Sequence, residues 1–427
     1  MKTKVLGALA ALALAGPLAA QDRTLEVWTW YPSEAVMTKI GDAFEAANPG
    51  VTVKLNLFDS AGYQDKMPLA LSSGDPMDVV AVQTSTMVET VRGDLLPLGP
   101  LFDEHASAPL ADLLSPSTLA QAASLASDGE TYVAPMGVLG SVVVYYNADM
   151  LKEMGIEMPR TRAEMVSFVA AVKAYNPNLL PYSFTGANWF LDEIALSIAE
   201  QSAPGFFNSV RYNKGGKWDS SDYAAAFDAT TSAYADGIFS KDTLDLDYGR
   251  AAELFQQGKA AAYIQGTWED GLLSEPFRKA NNIPLTNVVA SALPVMVEGG
   301  KPAIRSFIEV AWGVPAQAKD PALSTQFIEF MTSGAGVSQW ADTLFVVPSA
   351  KTATLPEGIF NSDAAKASYD EISALLLSPT SDRNNVSDFS AVVGDAIIDS
   401  IVSGTATADQ LAKLQSEWDS GRYSNAN

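Results

Sequence analysis

Strands and helices alternate along the chain, and this alternation constrains the fold more than any other feature. Leu25–Trp30 alternates apolar and polar residues as a strand does, and Ser33–Asn48 has helical apolar spacing that Pro49-Gly50 ends. Val51–Leu57 alternates again, while Asp78–Val82 is almost wholly apolar, as a buried parallel strand should be. The pattern predicts an α/β fold, in which helices cover both faces of a parallel sheet.

A second unit with the same alternation follows. Its predicted elements are the strands Ser141–Tyr146, Tyr182–Phe184 and Ala260–Ile264 and the helices Thr161–Ala174, Leu191–Glu200 and Tyr223–Asp236. The chain has 427 residues, more than the roughly 250–300 that one hydrophobic core usually serves. We therefore expect two lobes.

The first twenty residues have the pattern of a secretory signal peptide. Lys2 and Lys4 precede the apolar stretch Val5–Gly16, and small residues at Ala19 and Ala20 predict cleavage before Gln21. The sequence contains no cysteine, which excludes a lipid anchor on cysteine and any disulfide. We expect an unanchored, monomeric protein of a Gram-negative periplasm.

Charge and composition exclude several classes of function. Lys and Arg number 27 against 50 Asp and Glu, for a net charge of −23; loss of Lys2 and Lys4 leaves 25 − 50, or −25. Such a surface repels phosphate backbones and anionic lipid, so nucleic acid is not an expected partner. With His105 as the single histidine and no cysteine, thiol nucleophiles and cysteine-liganded zinc are excluded. We expect no metal and no cofactor.

Aromatic and polar side chains follow the predicted strands where ligands bind in open parallel sheets. These residues are Trp30, Tyr31, Asp59, Ser60, Gln83, Ser85, Asn188, Trp189, Trp268 and Glu269. A sugar ring stacks its C–H face on an aromatic ring and exchanges hydrogen bonds with carboxylates and amides through its hydroxyl groups. The pattern therefore favours a carbohydrate ligand. Trp28, Trp218 and Trp418 are expected to be core residues instead.

Several segments in a fixed order carry a family resemblance. They include LEVWTWYP, FEAANPGVTVKL, SGDPMDVVAV, LFQQGKAAAYIQGTWE and AWGVPAQAKDP. With these segments the chain resembles the extracellular solute-binding proteins of ABC importers, in particular the sugar-binding group that includes maltose-binding protein. The resemblance covers nearly the whole mature chain.

The resemblance implies the type II periplasmic binding protein fold, with a ligand cleft between two lobes, each a mostly parallel sheet with flanking helices. Lobe one would comprise residues 21–136 and 295–346, and lobe two residues 137–293 and 348–427. The lobes would close on the ligand by hinge bending, and the closed form would dock on a membrane permease.

The resemblance also bears on the site. It supports ligand contacts at Gln83, Ser85, Asn188, Trp189, Trp268 and Glu269, and implies that the segment from Arg383 to Asp388 reaches the cleft. This segment lacks the tryptophan of the maltose-type proteins. Arg383 is interpreted either as a contact to an anionic or amino-sugar group or as an exposed loop residue. Arg305 either lines the cleft or pairs with a structural acid.

Three alternatives to a sugar-binding protein are a secreted glycoside hydrolase, a polyamine-binding protein and an iron-binding protein. A secreted glycoside hydrolase would need two carboxyl groups about 5–10 Å apart, which Glu269 with Asp59 or Asp192 would supply. A polyamine-binding protein would use the same three acids as an acidic cleft. An iron site at Tyr145-Tyr146 is disfavoured, since iron needs several hard ligands together. The prediction is a binding protein and not an enzyme.

Overall fold

A computed structural model of the protein describes residues 23–84, 87–212, 214–383 and 387–423, without side chains at positions 60, 61, 387 and 388. The predicted signal peptide lies outside these residues. Within them the strands are β1 (Arg23–Thr29), β2 (Val51–Leu57), β3 (Val79–Gln83), β4 (Ala134–Pro135), β5 (Gly137–Asn147), β6 (Leu180–Ser183), β7 (Ala260–Gly266), β8 (Val288–Ala292), β9 (Arg305–Phe307), β10 (Val310–Gly313) and β11 (Val347–Pro348).

The helices are numbered in chain order in the same way. They are α1 (Glu34–Ala47), α2 (Ser60–Ser73), α3 (Met87–Val91), α4 (Leu98–His105), α5 (Leu110–Leu113), α6 (Pro116–Ser124), α7 (Ala148–Met154), α8 (Arg162–Tyr175), α9 (Asn188–Ser202), α10 (Phe206–Arg211), α11 (Ser221–Ala235), α12 (Tyr248–Gln256), α13 (Glu275–Ala280), α14 (Pro321–Thr332), α15 (Asp363–Leu376), α16 (Ser387–Ser403) and α17 (Thr407–Asp419). Short 3-10 helices occupy Arg92–Asp94, Lys241–Asp245, Thr267–Leu273, Ala335–Gln339 and Ala341–Thr343.

The first sheet has the strand order β2-β1-β3-β10-β4. Strand β1 is parallel to β2 and β3, whereas β10 is antiparallel to both β3 and β4. Apolar side chains fill the sheet: Val79 to Val82 are fully buried, and Trp312 of β10 is buried beside them. Among the described strands of this sheet, β10 alone runs against the others.

The second sheet is built around the long strand β5. Strands β7, β8, β9 and β11 are all antiparallel to β5, and β6 is parallel to β7. The four partners of β5 therefore run in one direction, and among the described strands β5 is the reversed one. Every residue of β5 is buried, as a central strand covered on both faces requires.

The expected fold class is confirmed: the protein has the two-lobe, mixed α/β architecture of the type II binding proteins. In each sheet one described strand, β10 or β5, is reversed against the others, and four of the five pairings in the second sheet are antiparallel. The strand pairings add a detail at the return crossing. Strand β9 pairs with β5 of the second sheet, and β10 then pairs with β3 of the first. The chain thus changes sheets at Ile308-Glu309. The residue limits of the lobes stay a prediction.

Two close approaches position the helices that carry site residues. Gly186 lies so near Leu244 that a Cβ there would be 2.3 Å from the Leu244 carbonyl oxygen. Gly394 of α16 lies against the start of α9, and a Cβ at Gly394 would be 2.4 Å from the Cα of Asn188. Neither position has room for a side chain. Of the helices in the described ranges, none is long and apolar enough to cross a membrane.

Candidate functional site

On the first-sheet side, the predicted residues lie at the strand ends as expected. Trp30 and Tyr31 directly follow β1, and both are half-buried. The centres of the Trp30 and Tyr63 rings lie 5.0 Å apart. The centres of the Tyr31 and Phe345 rings lie 5.3 Å apart, with the two rings nearly perpendicular. Burial and the nearby Glu309 carboxylate raise the pKa of the Tyr31 hydroxyl, which therefore stays protonated.

The other predicted residues on this side have local roles or lie outside the description. The Asp59 carboxylate caps α2 by accepting a hydrogen bond from the Gly62 amide at 2.8 Å. Gln83 ends β3, is half-buried and pairs with Val310 of β10. Ser85 lies outside the described residues, and the side chains of Ser60 and Asp388 are not described.

On the second-sheet side, aromatic rings meet beyond β7 and at the start of α9. The Trp268 and Trp189 rings lie 6.3 Å apart at an angle of 47°. Trp268 rests on Gly266, where a Cβ would come within 2.2 Å of the indole Cζ3 atom. Both tryptophans are half-buried, so their rings remain partly accessible. This arrangement suits stacking against an apolar ring face.

The Arg383 guanidinium completes this aromatic group. Its Cζ atom lies 4.9 Å from the centre of the Trp268 ring and 4.6 Å from that of Phe307. A planar guanidinium stacks well on aromatic rings while its edge still donates hydrogen bonds. Of the two sequence interpretations of Arg383, the exposed loop residue is wrong, because its side chain is only 14% exposed.

A buried carboxylate, Glu193, orients Arg383. Glu193 Oε1 lies 3.1 Å from Arg383 Nε, and Glu193 Oε2 lies 2.5 Å from Arg305 Nη2. The Ser141 hydroxyl donates to Glu193 and accepts from Arg383 Nε at 3.1 Å. Since Glu193 and Arg305 are both fully buried, this ion pair is held away from water. Arg305 thus pairs with a structural acid, the second of its two interpretations.

Two other predicted residues, both on α9, make contacts with α16. Asp192 is 3% exposed and accepts from the Ser390 hydroxyl at 2.6 Å. Burial raises the pKa of Asp192 to about 7. The Asn188 amide donates to Asp395 of α16 at 2.6 Å, which joins the first turn of α9 to α16. Neither polar group is presented freely to the cleft in this conformation.

Two carboxylates remain at the edge of the aromatic group. Glu269 follows Trp268 and accepts a hydrogen bond from the Tyr248 hydroxyl, and burial raises its pKa. Glu309 is half-buried at the crossing from β9 to β10, and burial likewise raises its pKa, while the Arg383 charge opposes that rise. Both carboxylates therefore lie in surroundings of low polarity, where hydrogen bonds to them are strong.

The candidate site, as we define it, contains eight described residues. They are Tyr31, Trp189, Tyr248, Trp268, Glu269, Phe307, Glu309 and Arg383. Sequence reasoning missed Tyr248, Phe307 and Glu309, and it also missed the support from Glu193. Phe307 and Glu309 lie between Ile304 and Val310, where apolar and polar residues do not alternate, so no strand periodicity marks them. No local pattern marks Glu193.

Two cavities have linings that do not include a residue of this site. One of about 800 Å³ is lined by residues that include Pro348, Phe360 and Tyr369. Another, of about 850 Å³, is lined by residues that include Gln121 and Tyr212. Neither lining includes a residue of the candidate site.

Comparison with known sequences identifies relatives among binding proteins. A binding protein of Brucella abortus (strain 2308) is 25% identical over 280 residues, which cover 64% of this chain and 65% of that protein. The chain thus matches slightly less than two thirds of that relative. A maltooligosaccharide ABC transporter solute-binding lipoprotein of Streptococcus pneumoniae (strain R6) is 24% identical over 84% of this chain and 78% of its own length. The diacetylchitobiose binding protein DasA of Streptomyces coelicolor is 28% identical over 58% of this chain and 55% of its own.

Solved structures share the fold. The sugar-binding protein MalE of Xanthomonas citri superposes with a TM-score of 0.72 at 19% identity, covering 93% of this chain and 96% of its own. A chitin oligosaccharide binding protein gives a TM-score of 0.69 at 19% identity over 93% of this chain and 98% of its own. The family model described as bacterial extracellular solute-binding protein matches residues 30–337, most of the chain. The chain therefore belongs to the family of bacterial extracellular solute-binding proteins.

Proposed function

We propose that this protein captures a sugar or sugar derivative between its two lobes and delivers it to the permease of an ABC importer. The observation that carries the proposal is the group of Trp189, Trp268 and Arg383, which presents ring faces and guanidinium donors together. Rings bind the apolar face of a sugar, and the donors bind its hydroxyl oxygens. The relatives named for maltooligosaccharide and diacetylchitobiose support the same class of ligand.

We propose further that the protein is not an enzyme. The carboxyl groups considered for glycoside hydrolysis have other roles: Asp59 caps α2, and Asp192 is buried against Ser390. These hydrogen bonds argue against a catalytic pair with Glu269, because hydrolysis requires two carboxyl groups that both face the glycosidic bond. The test is a reducing-sugar assay on a panel of glycosides, in which we expect no release above the buffer blank.

The binding proposal is tested by a thermal-shift screen across sugars, polyols and polyamines, followed by calorimetry. We expect at least one sugar to raise the melting temperature and polyamines to have no effect. The variant Trp268→Ala should reduce the shift at a given sugar concentration, whereas the surface variant Arg250→Gln, at an exposed position of α12, should retain it. Stabilisation by a polyamine and by no sugar would contradict the proposal.

The proposed location is the periplasm, with the protein free of the membrane and monomeric. The support is the predicted signal peptide, the lack of cysteine and the net charge of −23. Fractionation of the source cells tests the location. We expect the protein in the osmotic-shock fluid; recovery in the membrane pellet after a high-salt wash would contradict it.

A further inference from the structure

One side of β9 leads from the protein interior to the candidate site. Side chains alternate along a strand, so Arg305 and Phe307 share one side of β9, and Ser306 lies on the other. On the shared side exposure increases, from the fully buried Arg305 to the half-buried Phe307. The opposite side is closed, because Gln121 donates to the Ser306 hydroxyl at 3.0 Å. Glu309 follows two residues after Phe307, in the bend that leads to β10, and is half-buried like Phe307.

Arg383 is held beside β9. Its backbone amide donates to the Ser306 carbonyl at 2.8 Å, and its Nε group is occupied by Ser141 and Glu193. Neither Nη atom of Arg383 donates a hydrogen bond to any residue that the structure describes. These two NH₂ groups are the donors that the site offers to a ligand.

Glu309 offers the complementary acceptors. In the described part of the chain, its carboxylate has no hydrogen bond and no ion pair with a protein group. It is nevertheless close enough to Arg383 and to Tyr31 for its charge to act on both. Donors and acceptors that have no partner among the described residues therefore flank the same part of the site.

We propose that Glu309 and Arg383 bind the ligand as a facing pair and that Glu309 restricts the ligand to uncharged sugars. This inference rests on the proposed function. A sugar hydroxyl both accepts and donates, so neighbouring hydroxyl groups satisfy the Arg383 Nη donors and the Glu309 oxygens together. A uronic acid brings a second carboxylate toward Glu309, in surroundings where like charges repel more strongly than in water. Arg383 does not reverse this preference, because Glu193 already lies against it.

The test compares neutral sugars with their acidic counterparts. The probes are mono- and disaccharides of glucose, galactose, mannose, xylose and N-acetylglucosamine, with each hexose set beside its uronic acid. Affinities are measured by calorimetry at one pH and one salt concentration, since salt screens charge repulsion. We expect a neutral sugar to bind and its uronic acid counterpart to bind at least about 10-fold more weakly.

Two variants assign this selectivity to residues. Glu309→Gln removes the charge but keeps the shape, and should reduce the neutral-to-acidic preference by at least about 10-fold. Its control is Glu130→Gln, an exposed site, which should leave the preference unchanged. Arg383→Gln should lower the affinity for neutral sugars by at least about 10-fold. Its control is Arg250→Gln, at an exposed position. Urea unfolding of each variant restricts the comparison to folded protein.

The binding measurements separate this inference from the proposed function. A uronic acid that binds as tightly as its neutral counterpart, or more tightly, overturns the inference while the proposed function stands. An unchanged preference in folded Glu309→Gln overturns the role of Glu309. If no sugar binds, whether neutral or acidic, the proposed function is overturned and this inference with it.

Discussion

Trp268 combines a structural contact with partial access to a ligand. Its indole rests on Gly266 and is covered in part by the Arg383 guanidinium, 4.9 Å from the ring centre. It nevertheless remains half-buried, unlike Trp218, which is 1% exposed within the core. Two tryptophans of one chain thus have different environments, and their substitution should have different consequences.

Trp268→Ala should weaken sugar binding about 10- to 150-fold, since stacking and burial of an aromatic ring contribute roughly 1–3 kcal/mol. Trp218→Ala is the matched control and should lower the free energy of unfolding by about 3–5 kcal/mol through the cavity it leaves. Urea unfolding and calorimetry are measured on both variants. A large stability loss with unchanged affinity in Trp268→Ala would show that this ring is only a core residue.

Gly266 determines where the Trp268 ring lies. Gly266→Ala places a Cβ 2.2 Å from the ring, so the indole must move although it is still present. We expect a loss of affinity of about 10-fold, because a site displaced by about 1 Å loses its fit to the ligand. Gly93→Ala is the control, since a Cβ there meets nothing within 4 Å. Wild-type affinity in folded Gly266→Ala would contradict this dependence.

At the scale of elements, the 3-10 helix Thr267–Leu273 joins the site to the core. Trp268 and Glu269 belong to the site, while Asp270, the next residue, is 1% exposed. The Tyr145 hydroxyl lies 2.6 Å from Asp270 Oδ1 and 3.0 Å from the Gly266 carbonyl. This contact ties the 3-10 helix to β5, so the ionisation of Asp270 bears on the stability of the element that carries the site.

Asp270→Asn should remove a pH dependence of stability. Burial raises the pKa of Asp270 to about 8, whereas an unfolded aspartate has a pKa of about 3.9. The folded state therefore favours the protonated acid; this stabilisation is complete below about pH 4 and is lost as pH rises through about 8. The free energy of unfolding of the wild type, relative to the variant, should fall with a slope of up to about 1.4 kcal/mol per pH unit between these values.

Urea unfolding from pH 5 to pH 8 measures this slope. Asp65→Asn, at an exposed position of α2, is the matched control and should keep the wild-type profile. If Asp270→Asn also keeps the wild-type profile, Asp270 is not the titrating group.

At the scale of the whole molecule, the polypeptide passes from one sheet to the other at several points, and Glu309 lies at one of these crossings. A ligand held by Arg383, which we predict to belong to the second lobe, and by residues at this crossing would stabilise the closed arrangement over the open one. The fold itself supports such hinge closure, because each lobe has its own sheet.

Ligand binding should therefore make the protein more compact. Small-angle scattering of the protein saturated with a sugar from the binding screen should give a smaller radius of gyration than the free protein. Trp268→Ala, at the lowest sugar concentration that saturates the wild type, is the control and should show a smaller decrease in the radius. An unchanged radius in the saturated wild type would contradict hinge closure.

The sequence by itself determined the α/β class, the two lobes and the place of Trp189 and Trp268, because strand and helix periodicities are local and strand ends follow from them. It did not predict the roles of Glu193, Phe307 and Glu309 at the site. It also did not predict that Asn188 and Asp192 form hydrogen bonds with α16. Those roles depend on pairs separated by more than a hundred residues, such as Glu193 with Arg305 and Asn188 with Asp395. Only the packing of α9, α16 and β9 brings such pairs together, and burial then decides which polar groups pair inside the protein and which remain for a ligand.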